Sequence, residues 1–409
     1  MTDSLRTHIL AAMTAAAFAM AVPAAAQQYE EKLSVRPIGR ALFDGALYLP
    51  SGPLYDTPDG AGPRFADGVA IPDVRLGAKA SYGHWRAKVD VGFAYQKLSF
   101  KDVYIRYDIN PENYLQGGYF SHQFGLNTAS SSSRKPSMES DTGDEFFAST
   151  ERNLGITYVH DRGRYFAGVS GIVDRESMSH PANEQGKVSV AASTRLVYRP
   201  WHSTGRVVQA GLSFWIQSAL HTVDADGNLS PGYFSFSTNF PTRVNKIEML
   251  SARIDNARSL FKFSPELLLA HGRLALESQY YLMNISRRAS EGSTSVALPA
   301  YQAHGAYAML RGLICGEAYT YQHDEAGLAT PDPRSLELVA AYSYTDATST
   351  RAGIYGGRSH DASLTLNYYI NSYVTARLRY SYTHVADSEI LDLRTCRLNT
   401  IQARIQFLF

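Results

Sequence analysis

The sequence predicts an all-β fold, a transmembrane antiparallel β-barrel of 16 strands with loops folded into its interior, and three observations support it. Segments of about ten residues alternate between apolar and polar side chains. Beyond residue 26 there is no run of about 18 apolar residues. The chain ends in an alternating segment whose last residue is Phe409. A chain that crosses a bilayer without apolar helices needs a closed barrel, because closure pairs every backbone group in lipid.

The N-terminus has the features of a secretory signal. Arg6 supplies a positive start, residues 9–22 form an apolar run, and three alanines at 24–26 make a small-residue cleavage site. We therefore interpret residues 1–26 as a signal peptide and residues 27–409 as a single barrel domain. The alternative is an anchoring helix, although the run is shorter than the roughly 20 apolar residues that a span requires.

Two neighbouring segments illustrate the alternation. In residues 74–82 every second residue is apolar, and the positions between them include Arg75 and Lys79. In residues 85–95 the apolar parity is interleaved with Arg86 and other charged residues. Comparable segments lie at 187–199, 335–345, 362–369 and 374–382. A period of two is that of a strand with one apolar face.

The last segment, residues 401–409, has the same design. Ile405, Phe407 and Phe409 share its apolar face, and Gln402, Arg404 and Gln406 share the polar one. An apolar outer face with terminal aromatic rings is typical of outer-membrane strands. The alternative is a secreted β-sandwich or solenoid, whose strands also alternate. Basic residues flanked by small ones on the polar faces, and tight turns alternating with long loops, favour the barrel.

The lengths of the connections predict the direction of each strand. If Phe409 is at the periplasmic end, the tight connections are periplasmic, at 83–84, 111–113, 161–163, 200–204, 271–272 and 371–372. The long loops are then external, at 52–69, 125–153, 175–186, 347–359 and 385–394. Residues 220–261 hold either no complete strand or two, so the barrel has 16 or 18 strands. We choose 16 and interpret 220–261 as a loop folded toward the interior.

Composition argues against several classes of function. The 39 Lys and Arg residues balance 38 Asp and Glu, which gives a formal charge of +1 and no dense basic block for nucleic acid. Cys315 and Cys396 are far apart, and we expect no disulfide between them. The chain has no nucleophile elbow and no histidine pair at metal-binding spacing. We therefore expect no enzymatic activity, no metal and no cofactor. The 27 tyrosines are typical of rings at a membrane interface.

The side chains predicted to face the barrel interior are mostly basic. The polar faces of the predicted strands carry eleven bases: Arg75, Lys79, Arg86, Lys88, Arg106, Lys187, Arg195, Arg199, Arg377, Arg379 and Arg404. They carry six acids: Asp73, Asp90, Asp102, Asp108, Glu277 and Glu337. A pore wall with an excess of one sign attracts ions of the other, so a weak preference for anions is predicted. The alternative is that these charges pair across strands and only solvate the wall.

The loop at residues 125–153 is the longest between clear strands, and we predict that it folds inward and narrows the channel. It carries Arg134, Lys135 and Arg152 together with Glu139, Asp141, Asp144, Glu145 and Glu151. Bases that face acids would set a transverse field across a constriction. The alternative is a disordered external loop, given the serine run at 130–133.

Several strand motifs occur in a recognisable order. Residues 102–107 read DVYIRY, and residues 118–126 read GYFSHQFGL. The sequences SSR at 132–134, ME at 138–139, FSPELLLAHGRLALESQYY at 263–281, GE at 316–317 and LNYY at 366–369 follow. In this order across residues 70–409 they resemble the phosphate-selective porin O and P family. The resemblance implies a porin of the Gram-negative outer membrane, surrounded by lipid and assembled as a homotrimer.

The chain departs from this family along the anion pathway, which the family lines with a ladder of arginines and a lysine-rich constriction. Residues 71–75 read IPDVR where the family has I-R-R-A-R, and residues 236–242 read FSTNFPT where it has F-R-S-R-P-E. Ala341 and Tyr319 stand at two further arginine positions. The resemblance therefore implies the fold, but phosphate selectivity does not follow from it.

Two functions are consistent with the sequence. The first is passive diffusion of small hydrophilic solutes, with anions preferred and no energy coupling. The second is a structural or adhesive barrel whose lumen is closed. Neither the composition nor the motifs identify a particular solute.

Overall fold

The computed structural model describes residues 31–51, 65–148, 152–173, 188–221, 230–289 and 297–409. Its strands are β1 (Ser34–Ser51), β2 (Gly68–Tyr82), β3 (Trp85–Gly92), β4 (Ser99–Asn110), β5 (Asn113–Phe120), β6 (Asn153–Arg162), β7 (Tyr165–Val173), β8 (Val190–Ser203), β9 (Arg206–Ser218), β10 (Phe234–Asn239), β11 (Glu248–Ile254), β12 (Ala257–His271), β13 (Leu274–Arg287), β14 (Tyr301–Cys315), β15 (Tyr321–Gln322), β16 (Gly327–Leu328), β17 (Ser335–Ser349), β18 (Ile354–Tyr369), β19 (Val374–Ser388) and β20 (Cys396–Leu408). Short helical turns span Ala94–Gln96, Gly125–Ala129, Asp144–Ala148, Thr350–Ala352 and Glu389–Leu391. No helix in these ranges has the length and apolar character needed to cross a membrane. The predicted signal peptide, residues 1–26, lies outside the described residues.

Sixteen of these strands form one closed antiparallel barrel, which confirms the predicted fold class. Neighbouring barrel strands follow the order of the chain, and two small hairpins, β10–β11 and β15–β16, stand apart from the wall. β20 closes the barrel by pairing with β1, from Arg40 opposite Leu408 to Ser51 opposite Arg397. Closure leaves no barrel edge with unpaired backbone groups in lipid.

The strand count is 16 because the segment between β9 and β12 turns inward. Its β10–β11 hairpin lies inside the barrel and contacts β17, β18 and β19. The predicted loop 220–261 is shorter than expected, since β12 already begins at Ala257. We call residues 230–256 the inner hairpin.

Two predicted long loops are shorter than expected. β17 continues to Ser349 and β18 resumes at Ile354, and a short helical turn likewise joins β19 to β20. The strands extend beyond the apolar band, where backbone pairing persists although the side chains are polar on both faces. Asp346, for example, pairs directly with Arg358. A prediction based on the alternation of apolar residues therefore makes these strands too short.

Residues 316–334, between β14 and β17, form a long connection on the periplasmic side that the sequence did not indicate. We call these residues the periplasmic segment. It contains the β15–β16 hairpin and enters the barrel from the periplasmic side. Cys315 lies at its start, whereas Cys396 begins β20 at the external side, and no disulfide joins them.

The outward face of the wall is apolar and changes character toward its external end. In the periplasmic half of β17 to β19 the directly opposed side chains, continuing onto β20, are Leu338, Leu366, Leu378 and Ala403. Closer to the external end the corresponding row is Tyr344, His360, His384 and Arg397. Exposed rings near the periplasmic turns include Trp85, Tyr165, Trp201, Tyr373 and Phe409. Aromatic girdles of this kind mark the two membrane interfaces of a barrel.

The interior of the barrel is partly filled. The inner loop, residues 121–148 between β5 and β6, and the inner hairpin both enter from the external side. Their apolar side chains pack against the wall opposite β1–β5: Phe147 of the inner loop stacks on Tyr281 of β13 with ring centroids 5.5 Å apart. The main hydrophobic core therefore lies inside the barrel, and the water-accessible space is displaced to the other side.

Candidate functional site

A polar cavity of about 930 Å³ lies along the inner face of β1–β5. The inner loop and the tip of the inner hairpin bound it on the opposite side. Its lining extends from Tyr95 and Lys101, near the external ends of the strands, to Lys79 and Tyr114, near the periplasmic turns. The cavity therefore follows the wall over most of its height.

Bases outnumber acids among the described side chains that line this cavity. The bases are Arg40, Arg75, Lys79, Lys88, Lys101, Arg106, Arg134, Lys135, Arg152, Arg243 and Lys246. The acids are Asp73, Asp90, Asp102, Glu139, Glu145, Asp324 and Glu325. A chain with almost no net charge thus has a cavity with a net positive lining.

Three aspartates of the wall are each shared between two bases. The shared sets are Arg40–Asp73–Arg75, Arg75–Asp90–Lys88 and Lys88–Asp102–Arg152. Lys88 lies 2.5 Å from Asp102 and 3.6 Å from Asp90. Four bases share three carboxylates, so the network itself retains a positive charge.

Bases also stand directly opposite one another on neighbouring strands. The pairs are Arg40 with Arg75, Lys79 with Lys88, and Arg86 with Arg106. Like charges in this arrangement destabilise a sheet. Asp73 offsets the repulsion between Arg40 and Arg75, because it accepts hydrogen bonds from both. Asp108 does the same for Arg86 and Arg106. No carboxylate bridges Lys79 and Lys88 in this way among the described residues.

Lys79 and Lys101 line the cavity without a salt bridge to any described residue. Lys246, at the tip of the inner hairpin, holds its ammonium 4.0 Å from the ring centroid of Tyr95. A cation that no neighbouring carboxylate neutralises contributes most to the field in the passage. These lysines are therefore the strongest candidates for interaction with a passing anion.

The interior bases predicted from the sequence fall into two groups. Arg75, Lys79, Lys88 and Arg106 line the cavity, and Arg86 lies on the same wall near the periplasmic turn with its side chain 55% exposed. Five others, Arg195, Arg199, Arg377, Arg379 and Arg404, are buried away from the cavity. Lys187 lies outside the described residues.

Arg195 and Arg199 hold the periplasmic segment in place. Arg195 pairs with Glu266 at 2.8 Å and donates to the carbonyl oxygen of Ala326 at 2.9 Å. Arg199 donates to the hydroxyl of Tyr321 at 3.3 Å. These arginines face inward as predicted, but they meet an inserted segment instead of water.

Arg377, Arg379 and Arg404 hold the inner loop and the inner hairpin in the same way. They donate to the backbone carbonyls of Lys135, Pro241 and Met138, at 2.5, 3.0 and 2.8 Å respectively. Arg404 also pairs with Asp44 and Glu139, each at 2.6 Å. Wall arginines therefore position the elements that narrow the passage.

The structure distributes the bases of the predicted constriction over different surroundings. Arg134 lines the cavity and pairs with Glu325 of the periplasmic segment. Arg152 bonds Asp102 of the wall at 2.6 Å. The Lys135 ammonium is buried within the inner loop, where it bonds Asn127 and Asp144. The three bases therefore do not form the single basic cluster that was predicted to face the acids across the constriction.

The acids of the inner loop differ in their charge at neutral pH. Burial alone would raise the pKa of Glu139, but Arg404 and Arg243 lower it below its usual value. Burial raises the pKa of Glu145 to about 7. Burial and the neighbouring carboxylate of Asp144 raise the pKa of Asp141. The acidic side of the predicted transverse field is thus weaker than the residue count indicates.

Sequence reasoning missed four bases of the lining, namely Arg40, Lys101, Arg243 and Lys246. Arg40 shares the inward parity of β1 with Leu42, which obscured the polar face. Lys101 adjoins a register shift between β3 and β4, so strand parity does not assign it to the interior. Arg243 and Lys246 lie on the tip of a hairpin, where no periodicity applies.

A closed sixteen-stranded barrel with inward-folded elements and a charged eccentric cavity defines an outer-membrane porin channel. The chain belongs to the phosphate-selective porin O and P family, whose model matches residues 56–409. No curated protein shows significant sequence similarity to it. No group of three or more His, Cys, Asp or Glu side chains suited to a metal occurs in the described ranges.

Three solved structures illustrate the likeness of fold. An anion-selective porin from Comamonas acidovorans has a TM-score of 0.55 at 10% identity, over 92% of this chain and all (100%) of that one. Outer-membrane expressed OmpT of Vibrio cholerae has a TM-score of 0.54 at 11% identity, over 94% and 100%. OprB of Pseudomonas putida has a TM-score of 0.50 at 9% identity, over 93% and 94%. At such identities the likeness shows the fold alone.

Proposed function

We propose that this porin is a passive diffusion channel for small hydrophilic solutes with a weak preference for anions. The observation that carries the proposal is the basic wall of the cavity, where Lys79 and Lys101 have no salt bridge to a described residue. Their charges attract anions into the passage. The preference is weak because carboxylates neutralise most other bases of the wall.

The filled side of the barrel strengthens the effect of these charges. The inner loop and inner hairpin bury an apolar core against the wall opposite β1–β5, so solutes pass beside the basic wall. Low-dielectric boundaries focus the field of nearby charges. The anion selectivity named for the Comamonas acidovorans porin agrees with this proposal, but the argument rests on the charges, since fold does not determine selectivity.

Several further properties belong to the same proposal. A signal peptide, residues 1–26, directs export and is then removed. The barrel lies in outer-membrane lipid as a homotrimer, for which the trimer form solved for Vibrio cholerae OmpT offers a precedent. Solutes cross without chemical change.

A second candidate function is a structural or adhesive barrel with a closed lumen. The observation that favours it is the filling of the interior by three inserted elements, with Arg134 and Glu325 joining two of them across the lumen. Passage of ions decides between the two functions.

Planar-bilayer recording tests the proposal. The unmodified protein should give discrete conductance steps, and its reversal potential in a salt gradient should show a mild anion preference. Lys79→Glu and Lys101→Glu should each shift the reversal potential toward cations. Arg273→Glu makes the same change of charge on an exposed turn outside the cavity, and it should leave the reversal potential unchanged.

Two results would contradict the proposal in different ways. Equal or cation-favouring permeability of the unmodified protein would refute the anion preference. A correctly folded barrel without conductance steps would refute the channel and favour the closed lumen.

A further inference from the structure

We infer that the solutes this passage accommodates best are small aromatic carboxylates. The inference rests on the proposed function and names the solute class for the same cavity. It comes from two tyrosines, Tyr104 and Tyr114, that face the cavity beside the basic wall.

Tyr104 continues a row of bases across the wall. Directly opposed residues on β2, β3, β4 and β5 are Lys79, Lys88, Tyr104 and Gly118. Neighbouring strands lie about 4.8 Å apart, so the backbones of Lys88 and Lys79 are about 5 and 10 Å from that of Tyr104. An aromatic ring and two ammonium groups therefore occur within the length of one small molecule.

The Tyr104 ring lines the cavity beside residues that do not cover it with a side chain. The adjoining residue, Gly118, has no side chain that could cover the ring, because the backbone of β4 approaches so closely that a Cβ there would lie 2.3 Å from the carbonyl oxygen of Val103. On the far side, Phe120 packs edge-on with ring centroids 5.9 Å apart. Phe120 thus supports the Tyr104 ring without covering the position next to it.

Tyr114 adds a second ring to this patch. The guanidinium of Arg106 lies 3.5 Å from the centroid of the Tyr114 ring, and Arg106 itself bonds Asp108 at 2.5 Å. The guanidinium covers one face of the Tyr114 ring, and both side chains line the cavity. We call Tyr104, Tyr114 and Phe120 the aromatic patch.

Three inward tyrosines on the opposite side of the barrel behave differently, while a fourth, Tyr281, is buried against Phe147 without a hydroxyl partner among the described residues. Tyr301, Tyr307 and Tyr369 are buried, and their hydroxyls donate to Ala347, Glu277 and Glu337 at 2.7, 2.8 and 2.8 Å respectively. Those rings fill the core and hold structure. Tyr104 and Tyr114 make no hydroxyl hydrogen bond to a described residue, and both line the cavity. Tyr114 also packs against the buried cluster of Val159, Phe166 and Val197, so its ring supports the wall as well as lining the passage.

An aromatic carboxylate complements this arrangement in two ways. Its ring packs offset or edge-on against Tyr104, as aromatic pairs prefer. Its carboxylate then reaches Lys79 or Lys88. An aliphatic acid of the same size and charge obtains the electrostatic attraction and part of the apolar contact, but not the ring–ring interaction.

Benzoate and cyclohexanecarboxylate separate these contributions, because both are six-membered-ring carboxylates with one charge. Each is added to a bilayer containing the unmodified channel in potassium chloride, and the concentration that halves the chloride current is measured. Benzoate should act at a concentration about two to ten times lower, the range expected for one aromatic pair. Equal concentrations would overturn the inference, and this comparison requires no variant.

Variants then locate the site. Tyr104→Leu and Tyr114→Leu keep an apolar side chain of similar size but remove the ring, and they should reduce the difference between benzoate and cyclohexanecarboxylate. Tyr107→Leu is the matched control on β4, because Tyr107 faces outward and is 38% exposed. Heat-modifiable migration on gels checks that each variant is folded. A difference that persists in both inward variants would overturn the aromatic patch.

This experiment distinguishes failure of the inference from failure of the proposed function. If the channel prefers chloride over potassium but benzoate and cyclohexanecarboxylate block it at equal concentrations, the proposed function stands and the inference about aromatic carboxylates is refuted. A channel without anion preference loses both.

Discussion

Gly39 of β1 and Phe409 at the end of the chain exchange two backbone hydrogen bonds, each 3.0 Å long. The Phe409 ring covers Gly39 so closely that a Cβ at residue 39 would lie 2.3 Å from a ring atom. The terminal ring therefore occupies space that glycine leaves open, at the seam where the barrel closes.

Deletion of residues 407–409 should prevent closure of the barrel. β1 would lose its partners at Gly39, Arg40 and Ala41, and each unpaired backbone group in lipid costs several kcal/mol. The truncated protein should lose heat-modifiable migration and membrane insertion, whereas Phe409→Tyr should retain both. A truncated protein that inserts and migrates normally would show that this seam is dispensable.

Replacement of Arg404 by Met should destabilise the protein by about 3–5 kcal/mol, the usual effect of removing one partner from a buried ion pair. Arg404 is 1% exposed on its side chain, and its loss leaves Asp44 and Glu139 buried without their shared base. Thermal unfolding in detergent measures the effect. Arg394→Met, at an exposed external position, should change stability by no more than about 0.5 kcal/mol. Equal effects of the two variants would contradict the anchoring role of Arg404.

Replacement of Arg379 by Gln should loosen the inner hairpin without changing ion selectivity. The Arg379 side chain donates to Pro241 at 3.0 Å and pairs with Asp361 at 3.0 Å, and it does not line the cavity. We expect greater current fluctuation in single-channel records and an unchanged reversal potential. Lys79→Gln is the comparison for selectivity. If Arg379→Gln shifts the reversal potential as much as Lys79→Gln does, Arg379 faces the passage after all.

Micromolar phosphate should not block the chloride current. Asp73, Asn239 and Ala341 stand where the family motifs have arginines, and Asp73 in this structure pairs with both Arg40 and Arg75. Each lost charge-assisted contact weakens binding by about 1.5–3 kcal/mol. Current titrations with phosphate, and with sulfate as a control anion, measure the effect. Half-block at micromolar phosphate would require a different set of ligands.

Stability should decrease as the pH rises from about 4.5 to about 7, in part because of Glu145. Its raised pKa means that the folded protein binds this proton more tightly than the unfolded chain, so the folded state is favoured when the carboxyl is protonated. Loss of the proton costs at most on the order of 3 kcal/mol.

Glu145→Gln tests this contribution. The melting temperature of the variant relative to the unmodified protein should increase across the same pH range, and Glu248→Gln, at an exposed position, should show no such trend. A constant difference between Glu145→Gln and the unmodified protein would show that Glu145 does not titrate in this range.

The fold was largely predictable because strand periodicity and lipid burial are coupled. Arg75 and Lys79 alternate with apolar residues that must face lipid, so their inward direction follows from parity alone. The inward fold of residues 220–261 was also expected, as a loop, because an antiparallel barrel needs an even number of strands there; its β10–β11 hairpin was not expected. The periplasmic segment was not, because its two-residue strands at Tyr321–Gln322 and Gly327–Leu328 are too short to produce a pattern.

The site was less predictable than the fold. Parity shows that a side chain points into the barrel, but it does not show whether that side chain meets water or an inserted segment. Lys79 and Arg195 have the same sequence pattern, yet Lys79 lines the cavity and Arg195 bonds Glu266 and the periplasmic segment. The difference depends on how three connections fold inside the barrel, which local sequence does not encode.

The ion pair between Arg134 and Glu325 has a mechanical consequence. Arg134 belongs to a loop that enters from the external face, and Glu325 to a segment that enters from the periplasmic face. A displacement of either partner leaves the other charge without its counterpart inside the lumen, which costs energy. The pair therefore joins the insert from the external face to the insert from the periplasmic face within the pore, so that one passage is bounded from both sides of the membrane by connected elements.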